Sequence, residues 1–254
     1  MIDLTGKGGL IVGAKRIGQT VAMRLAQEGV NLAIAYRHSR TEAERLQTQI
    51  ASLVGHTALI QGDIADEDSV KTMLTSAHDA LGELSFVINL ASGFPRTPFA
   101  SLNAESWDTS LSDAKGSYLL CVYGARHMMQ NPGPTRGHLI LFSDWAARHT
   151  PYKDYLPYLT SKAAIDFMTR AFAAELAAHG ILVNAIAPGP TQRPDDITPA
   201  IWQQDVLNRA PLKRESSAAE IAELIVTLLK SETMTGETIR IDSGRHLAGP
   251  GLEG

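Results

Sequence analysis

The stretch Gly9-Leu10-Ile11-Val12-Gly13-Ala14-Lys15-Arg16-Ile17-Gly18 decides the fold class of this chain. An apolar strand at residues 9–13 runs through a glycine-bearing turn into an amphipathic helical pattern at residues 17–28. Glycine in such a turn lets backbone amides approach a pyrophosphate, and the N-terminus of the helix adds favourable partial charge. The alternative is a tight connection that binds no ligand, and these residues alone allow both interpretations.

Apolar runs and helical patterns alternate along the rest of the chain. Further strands are predicted at residues 31–36, 57–62, 84–89, 138–142, 182–186 and 238–241, and further helices at 41–52, 66–80, 105–130, 158–178 and 218–230. Two capping boxes, Ser39 with Glu42 and Ser217 with Glu220, indicate where two helices begin. Strands that are apolar throughout and separated by helices are typical of a parallel sheet covered on both faces. We therefore predict an α/β fold, a single doubly wound Rossmann-type domain over residues 1–254 with a parallel seven-stranded sheet and helices on both faces.

The composition argues against several classes of protein. The 254 residues carry a net charge of −4 and the lysines and arginines are scattered, so we expect no nucleic-acid partner. No apolar run is long enough to span a bilayer and the first residues lack a signal-peptide pattern, so we expect a cytoplasmic protein with no membrane partner. The single cysteine, Cys121, cannot form an internal disulfide, which fits a reducing compartment. The eight histidines lack metal-ligand spacing, so we expect no metal site.

An irregular segment at residues 188–212 interrupts the alternation. It is rich in Pro, Thr and Asp and contains a short helical pattern around residues 201–207. A long irregular insertion in a compact domain is usually functional or mobile, and this one follows the C-terminal end of a strand, where open α/β sheets bind ligands. We predict that it is a substrate lid. The alternative is a loop without a function.

Tyr158 and Lys162 form a candidate catalytic pair. Residues four apart share a helix face, so the ammonium would lie beneath the same pocket as the phenol. A free phenol titrates near ~10, and lowering that value by about 3 units requires roughly 4 kcal/mol of phenolate stabilisation. A nearby cation supplies energy of that order at partly shielded dielectric. We predict that Tyr158 is a general acid activated by Lys162; the alternative is an exposed pair without a role.

The end of the second strand indicates which cofactor the glycine turn would bind. The sequence there is Tyr36-Arg37-His38-Ser39, without the acidic residue that would hold the adenosine ribose hydroxyls of NAD. Arg37 and the Ser39 hydroxyl could instead receive a 2′-phosphate, so we predict NADP(H); the alternative is an exposed arginine at a strand end. Asp63, after the third strand, would meet the adenine edge or cap a turn.

The order of several motifs resembles the short-chain dehydrogenase/reductase family along essentially the whole chain. Besides the glycine turn and the Tyr158/Lys162 pair, the motifs are Gly62-Asp63-Ile64, Asn89-Leu90-Ala91-Ser92, Asn184-Ala185-Ile186-Ala187-Pro188-Gly189, Thr235-Gly236-Glu237-Thr238 and Asp242-Ser243-Gly244. The resemblance implies that Tyr158 delivers the proton and that Lys162 also bonds the nicotinamide ribose. The predicted cofactor contacts are Gly13, Lys15, Arg16, Ile17, Tyr36, Arg37, His38, Ser39, Asp63, Ile64, Asn89, Ala91, Ser92, Tyr158, Lys162, Pro188 and Gly189.

Within that family the chain is most similar to pteridine reductases, whose cofactor loop also has Arg in place of the middle glycine, here Arg16. Further similar segments are Ala91-Ser92-Gly93-Phe94 before Thr97-Pro98, and Ala210-Pro211-Leu212 before Ser216-Ser217-Ala218-Ala219-Glu220. The resemblance implies that Phe94 stacks on a pterin held against the nicotinamide, and that Arg16 approaches both phosphate and pterin. The alternative for Phe94 is a loop aromatic that covers the core. The predicted substrate contacts are Arg16, Ser92, Phe94, Asp144 and Tyr158.

One position some distance before the tyrosine distinguishes kinds of substrate within the family. The family usually has Ser there to hold a substrate carbonyl, whereas pteridine reductases have Asp. Asp144 is the predicted match, Ser143 is the alternative if the loop register differs, and a turn-forming Asp is the alternative without chemistry. An ionised Asp beside Tyr158 opposes phenolate formation, so Asp144 would either be protonated and share in proton delivery or relay protons through water. Either arrangement suits reduction at C=N, which needs a proton on nitrogen.

Three features depart from the family pattern. The glycine loop is one residue short, Leu90 replaces a second Asn, and Asp113, a predicted catalytic residue, stands where a proton-relay Asn is expected. Ionised Asp113 accepts but does not donate, so a relay water would be held differently. We predict an NADPH-dependent reductase of a C=N or C=O group, with a pteridine substrate of the dihydropterin or biopterin type. The alternatives are a 3-oxoacyl thioester or other carbonyl reductase and, from another class, a non-catalytic NADP-binding regulator. The resemblance also implies a homotetramer built on the helices at 105–130 and 158–178.

Overall fold

A computed structural model describes residues 1–193 and 197–248. In these residues seven strands form one sheet in the order β3-β2-β1-β4-β5-β6-β7, with every neighbouring pair parallel. The strands are β1 (Gly8–Val12), β2 (Asn31–Tyr36), β3 (Thr57–Gln61), β4 (Phe86–Asn89), β5 (Gly137–Phe142), β6 (Ile181–Pro188) and β7 (Thr238–Ile241). The prediction of a doubly wound parallel sheet is confirmed.

Helices cover both faces of the sheet. They are α1 (Ile17–Gln27), α2 (Arg40–Ile50), α3 (Glu67–Leu81), α4 (Ala104–Met128), α5 (Leu156–Leu176), the single turn α6 (Pro199–Ile201) and α7 (Ala218–Lys230). Alternate residues of β1 point to opposite faces. Leu10 therefore packs in the apolar layer formed with α3, α4 and α5, while Ile11 packs in the layer formed with α1, α2 and α7. Because both faces are buried, the strands read as continuous apolar runs in the sequence.

The strand order reverses at β1, which lies between β2 and β4. Ligands of open α/β sheets bind outside the carboxyl ends of the strands at such a point. The turn after β1 and the loop after β4 therefore share one crevice, and the Leu90 N–H donates to the Val12 carbonyl at 2.8 Å. The sheet topology thus brings together segments that are far apart in sequence.

The start of α5 fixes the candidate catalytic pair. The helix begins at Leu156, two residues before the predicted start, and Pro157 lies in its first turn. Proline is favourable there because its fixed φ is helical and its missing N–H would have no partner in the helix. Tyr158 and Lys162 follow on successive turns, and both side chains are buried.

One predicted capping box is wrong, and another was missed. Within the described residues Ser39 makes no side-chain cap bond to α2, because its ψ of 54° departs from the extended backbone of a capping residue, and Glu42 pairs with Lys15 instead. Ser217 does cap α7, accepting from the Glu220 N–H at 3.2 Å. Helix α4 begins with a full capping box of Asn103 and Ser106, which the search for Glu or Gln at the third position did not detect.

The irregular segment after β6 contains more helical structure than its sequence indicates. After α6 the chain continues through a wide helical turn at Trp202–Val206 and a tight one at Leu207–Arg209. Residues 194–196 of the predicted lid lie outside the described part of the chain. None of the described helices is long and apolar enough to cross a bilayer.

Candidate active site

The turn after β1 needs glycine at two positions because the backbone is crowded. Gly13 has a φ of +101°, and a Cβ atom there would lie 3.0 Å from the amide nitrogen of Ala91. A Cβ atom on Gly18 would lie 1.9 Å from the carbonyl oxygen of Gly13. Side chains at these positions would push α1 away from the strand ends. The two glycines therefore keep the N-terminus of α1 against the crevice.

Arg16 takes a backbone conformation that favours glycine. Its φ of 53° and ψ of −117° place it at the N-cap of α1, where the family pattern has its middle glycine. A non-glycine residue in such a region costs on the order of 1–3 kcal/mol. The fold therefore retains a strained arginine at the mouth of the crevice.

The cations at the ends of β1 and β2 have carboxylate partners. Lys15 Nζ lies 2.8 Å from Glu42 on α2, and Arg37 Nη1 lies 3.4 Å from Asp63 Oδ2, with all four side chains well exposed. Asp63 also accepts the Ala65 N–H through Oδ1 at 2.9 Å, so it stabilises a turn as well. Exposed pairs of this kind contribute about 0–1 kcal/mol, so an incoming anion can displace either carboxylate.

Asn89 holds the end of β4 in place. Its side-chain nitrogen donates to the Ser117 hydroxyl on α4 at 3.0 Å, and its oxygen accepts the Ala91 N–H at 3.2 Å. Buried amides are stable when both ends are hydrogen-bonded in this way. Asn89 therefore fixes the loop that contacts the glycine turn.

Asp113 supports the same loop from α4. Its Oδ2 atom accepts both the Ser92 hydroxyl and the Gly93 N–H, each at 2.9 Å. A single acceptor oxygen can hold both donors. Asp113 thus has a structural role here, because it fixes the loop immediately before Phe94.

The Tyr158 hydroxyl meets Asp144, not Ser143. It donates to Asp144 Oδ2 at 3.0 Å, and Asp144 Oδ1 accepts the Ala146 N–H at 2.8 Å. The Ser143 hydroxyl is buried and donates to the backbone carbonyl of Lys162 at 3.0 Å. The register therefore places Asp144 beside the phenol and uses Ser143 to join β5 to α5.

Lys162 lies buried beneath Tyr158. Its Nζ atom is buried and donates to the Phe142 carbonyl at 2.8 Å, and it lies 5.7 Å from the centroid of the Tyr158 ring. Burial lowers the pKa of Lys162, while the charges of Asp113 and Asp144 oppose that shift. The ammonium is thus held beneath the phenol ring and tied to the end of β5.

The predicted lowering of the Tyr158 pKa does not occur in this arrangement. Burial, followed by the negative charge of Asp144, raises the pKa of Tyr158 well above its ordinary value. Burial also raises the pKa of Asp144, although the Ala146 N–H, the phenols and Lys162 act against it. The site therefore holds a neutral phenol that donates to a carboxyl group whose pKa lies above its ordinary value.

Phe94 stands next to the phenol. Its ring stacks on Tyr155 with centroids 4.5 Å apart and meets the Tyr158 ring edge-on at 5.0 Å. The Phe94 side chain is nevertheless 56% exposed. A centroid separation of 4.5 Å leaves no room for a ligand between Phe94 and Tyr155, so a planar ligand would stack on the exposed side of Phe94.

Three aromatic neighbours of this site were not predicted. Tyr152 donates to Asp144 Oδ2 at 3.3 Å, and Trp145 stacks on Tyr152 with centroids 5.8 Å apart. Tyr155 also went unpredicted, although it stands three residues before Tyr158 and the helical spacing could have indicated a shared face. Trp145 and Tyr152 lie on the connection between β5 and α5, for which no periodic signal exists.

The segment after β6 begins at a crowded turn. A Cβ atom on Gly189 would lie 2.7 Å from the Cα atom of Asp242, and the Pro188 carbonyl accepts the Trp145 N–H at 3.3 Å. Trp202 donates from Nε1 to Glu215 at 2.6 Å, which holds the helical part of the segment. Thr191 and Leu207 help line a cavity of about 570 Å³ beside the start of α7. The segment therefore borders an open depression beside the start of α7.

Comparison with known proteins identifies the family. The family model described as enoyl-(acyl carrier protein) reductase matches residues 12–246. The 3-oxoacyl-(acyl-carrier-protein) reductase FabG of Staphylococcus aureus is 28% identical over 247 residues, 95% of this chain and 98% of that protein. The uncharacterized oxidoreductase YgfF of Escherichia coli is 30% identical over 240 residues, 92% of this chain and 97% of that protein.

A solved structure agrees with these relatives. The crystal structure of FolM, alternative dihydrofolate reductase 1, of Brucella suis in complex with NADP superposes with a TM-score of 0.89 at 26% identity. The match covers 98% of this chain and 99% of that chain. The chain belongs to the short-chain dehydrogenase/reductase family, which confirms the predicted family, and it is an oxidoreductase.

Proposed function

We propose that the protein is an NADPH-dependent reductase that adds hydride to a C=N bond of a pteridine ring, with a dihydropterin as the preferred substrate. The observation that carries the proposal is the 3.0 Å hydrogen bond from the Tyr158 hydroxyl to Asp144. A serine at that place would donate to a carbonyl oxygen, whereas a carboxyl group can store and deliver a second proton. Reduction at C=N requires a proton on nitrogen, so a proton store beside the phenol suits this substrate.

The cofactor is NADP(H), and the residues around the crevice fit it. The crowded glycines Gly13 and Gly18 bring the N-terminus of α1 close to where a pyrophosphate would bind. The 2′-phosphate would displace Asp63 from Arg37, and Arg37 and Ser39 would then hold it. The remaining predicted contacts lie along the same strand ends: Lys15, Arg16, Ile17, Tyr36, His38, Ile64, Asn89, Ala91, Ser92, Pro188 and Gly189. The NADP complex of the Brucella protein supports this choice.

Tyr158 and Asp144 transfer the proton. Bound NADPH supplies the hydride. The Tyr158 hydroxyl gives its proton to the substrate nitrogen, and the resulting phenolate lies beside Asp144, whose charge would oppose it. A protonated Asp144 carboxyl group can pass its proton to the phenolate, which restores the phenol and leaves Asp144 ionised until it takes up a proton from solvent. Because burial raises the pKa of Asp144, the carboxyl group can hold that proton at a higher pH than an exposed aspartate.

The loop that follows β4 supplies the substrate wall. Phe94 is backed by Tyr155 and presents its other side to the crevice, and Asp113 fixes the preceding Ser92 and Gly93. Arg16, at the mouth of the crevice, is the proposed cationic contact to the pterin. The likeness to a protein described as an alternative dihydrofolate reductase supports a pterin-type ring.

A 3-oxoacyl thioester is the second candidate substrate, because FabG is 28% identical over nearly the whole chain. The remaining alternative, a non-catalytic NADP-binding regulator, fits the site less well. A regulator would have no need for a lysine buried beneath a phenol that is bonded to a carboxyl group.

The segment at residues 188–212 is the proposed lid, and a cytoplasmic homotetramer is the proposed assembly. Large aromatic side chains are exposed on the helices that would form the interfaces, with Trp107 and Tyr118 on α4 and Phe167 on α5. Burying them between copies would remove apolar area from water. Light scattering at micromolar concentration checks the assembly, and a monomer there would contradict it.

An NADPH-oxidation assay tests the proposed reaction. The substrates are a dihydropterin, biopterin, an acetoacetyl thioester and a quinone, each with the wild type, Asp144→Asn and Asp144→Ser. We expect the wild type to reduce the dihydropterin, Asp144→Asn to lose that activity, and Asp144→Ser to shift activity towards simple carbonyls. Asp68→Asn, an exposed position on α3, is the matched control. Turnover of the thioester without any pterin reduction would overturn the proposal in favour of the second candidate.

A further inference from the structure

Tyr152 provides a second phenol at the Asp144 carboxyl group. Its hydroxyl donates to Asp144 Oδ2 at 3.3 Å, and the Tyr158 hydroxyl donates to the same oxygen at 3.0 Å. The other oxygen of Asp144 accepts the Ala146 N–H at 2.8 Å. Three donors therefore converge on one part-buried carboxyl group, and two of them are phenols that share one oxygen.

A stack of side chains from distant parts of the chain holds Tyr152 in place. Its ring lies on Trp145 at an interplanar angle of 26°, and the Arg245 guanidinium lies 5.3 Å from the Trp145 centroid. Arg245 is buried and donates to the Arg209 carbonyl at 2.9 Å, so the stack reaches the segment after β6. The neighbours of Tyr152 in sequence, Pro151 and Lys153, are exposed. Tyr152 lies on an exposed connection, but its packing against Trp145 fixes it. Its hydroxyl therefore stays bonded to one oxygen of Asp144.

We propose that Tyr152 is a positioning residue for the reduction: it holds the Asp144 oxygen against Tyr158 and governs how readily Asp144 takes up a proton. The inference rests on the proposed function of Asp144 as the proton store for Tyr158. Tyr152 itself delivers no proton to the substrate and acts through Asp144.

The groups that face Asp144 determine the direction of its effect. Burial raises the pKa of Asp144, while the Ala146 N–H, the Tyr158 hydroxyl, the Lys162 charge and the Tyr152 hydroxyl lower it. The charge of Asp113, on α4, raises the pKa values of Tyr158 and Lys162. A phenol donor stabilises the ionised carboxylate more than the neutral acid. Removing the Tyr152 hydroxyl should therefore raise the pKa of Asp144, by about one pH unit for one hydrogen bond to an ionised group.

Tyr152→Phe tests the proposal because it removes the hydroxyl and retains the ring on Trp145. The first readout is the pH profile of kcat/KM for dihydropterin reduction, which should decline at a pH about one unit higher than in the wild type. The second readout is the titration of the Asp144 carboxyl carbon by ¹³C NMR, assigned with Asp144→Asn. It should show the same upward shift without requiring turnover. Tyr118→Phe removes a phenol oxygen at an exposed position on α4 and should leave the Asp144 titration in place.

The two readouts separate the inference from the proposed function. An active enzyme whose profile and carboxyl titration do not move in Tyr152→Phe would overturn the inference and leave the function standing. A protein that reduces no pterin but shows the NMR shift would overturn the function and leave the Tyr152–Asp144 coupling standing.

Discussion

His138 should make the protein less stable in mild acid, and the size of the effect follows from its surroundings. The side chain is fully buried in β5, and neither ring nitrogen has a hydrogen-bond partner among the described residues. Its ring packs against Phe86 with centroids 5.9 Å apart. Burial lowers the pKa of His138 from 6.5 to about 4, because the charged ring would lose its hydration without gaining a partner.

The depressed pKa fixes the sign of the pH effect. Between pH 6.5 and 4 the unfolded chain binds a proton at His138 that the folded chain does not, so the free energy of unfolding falls as the pH falls through this window. The full difference is about 3 kcal/mol, and about 2 kcal/mol of it is lost between pH 7 and pH 5. Above about pH 7.5 the histidine contributes almost no pH dependence.

Urea unfolding at pH 7 and pH 5, followed by far-UV circular dichroism, measures this loss. His138→Leu cannot be protonated, so we expect its free energy of unfolding to fall by about 2 kcal/mol less than that of the wild type over the same interval. His179→Gln, at an exposed position after α5, is the matched control and should behave like the wild type. If His138→Leu and the wild type lose equal stability, the ring is protonated in the folded state and the reasoning fails.

Substitutions at three further positions test the site. Tyr158→Phe should reduce turnover by at least ~10²-fold and leave NADPH binding, measured by fluorescence, nearly unchanged; wild-type rates in this variant would contradict the proton role. Arg37→Ala should weaken NADPH by about 10- to 150-fold, the equivalent of one charge-assisted contact, while NADH binding scarcely changes. Equal losses for both cofactors would show that Arg37 is structural. Asp113→Ala removes the acceptor for Ser92 and Gly93 and should raise the dihydropterin KM by about 5- to 30-fold, the equivalent of one or two hydrogen bonds. Asp113→Asn retains an acceptor oxygen and should stay within about 3-fold of the wild type, so a similar loss in both variants would rule out loop support.

The strands were predictable from the sequence because both faces of the sheet are buried. Each strand is a short apolar run bounded by polar or glycine residues, and the predicted limits differ from the observed ones by two residues at most. Local signals at helix starts were less reliable. Ser39 and Glu42 match a capping box in sequence, but Glu42 has a nearby cation, Lys15, that competes for it. Such competition depends on the fold and cannot be predicted from spacing.

The residues of the site could be predicted from the sequence, but the directions of their pKa shifts could not. The motif order placed Asp144 near Tyr158, and the two side chains are 3.0 Å apart. The spacing of Tyr158 and Lys162 indicated a shared face, but it could not indicate that Lys162 Nζ turns to the Phe142 carbonyl. Tyr152 was missed because its contact with Asp144 depends on how the connection from β5 to α5 folds back. Burial, a property of the whole fold, then determines the direction of the Tyr158 pKa.

Lys162 and Ser143 together join β5 to α5 as a two-point clasp. The lysine ammonium bonds the last carbonyl of the strand, and the serine next along the chain bonds the lysine's own backbone carbonyl. Asp144 is the next residue, so the clasp sets where its carboxyl group stands. A substitution that shortens Lys162 will open one point of the clasp and move the acid together with the charge. A Ser143→Ala variant removes the other hydrogen bond and leaves the ammonium in place. Comparing the two variants therefore separates the effect of holding Asp144 in position from the effect of the Lys162 charge.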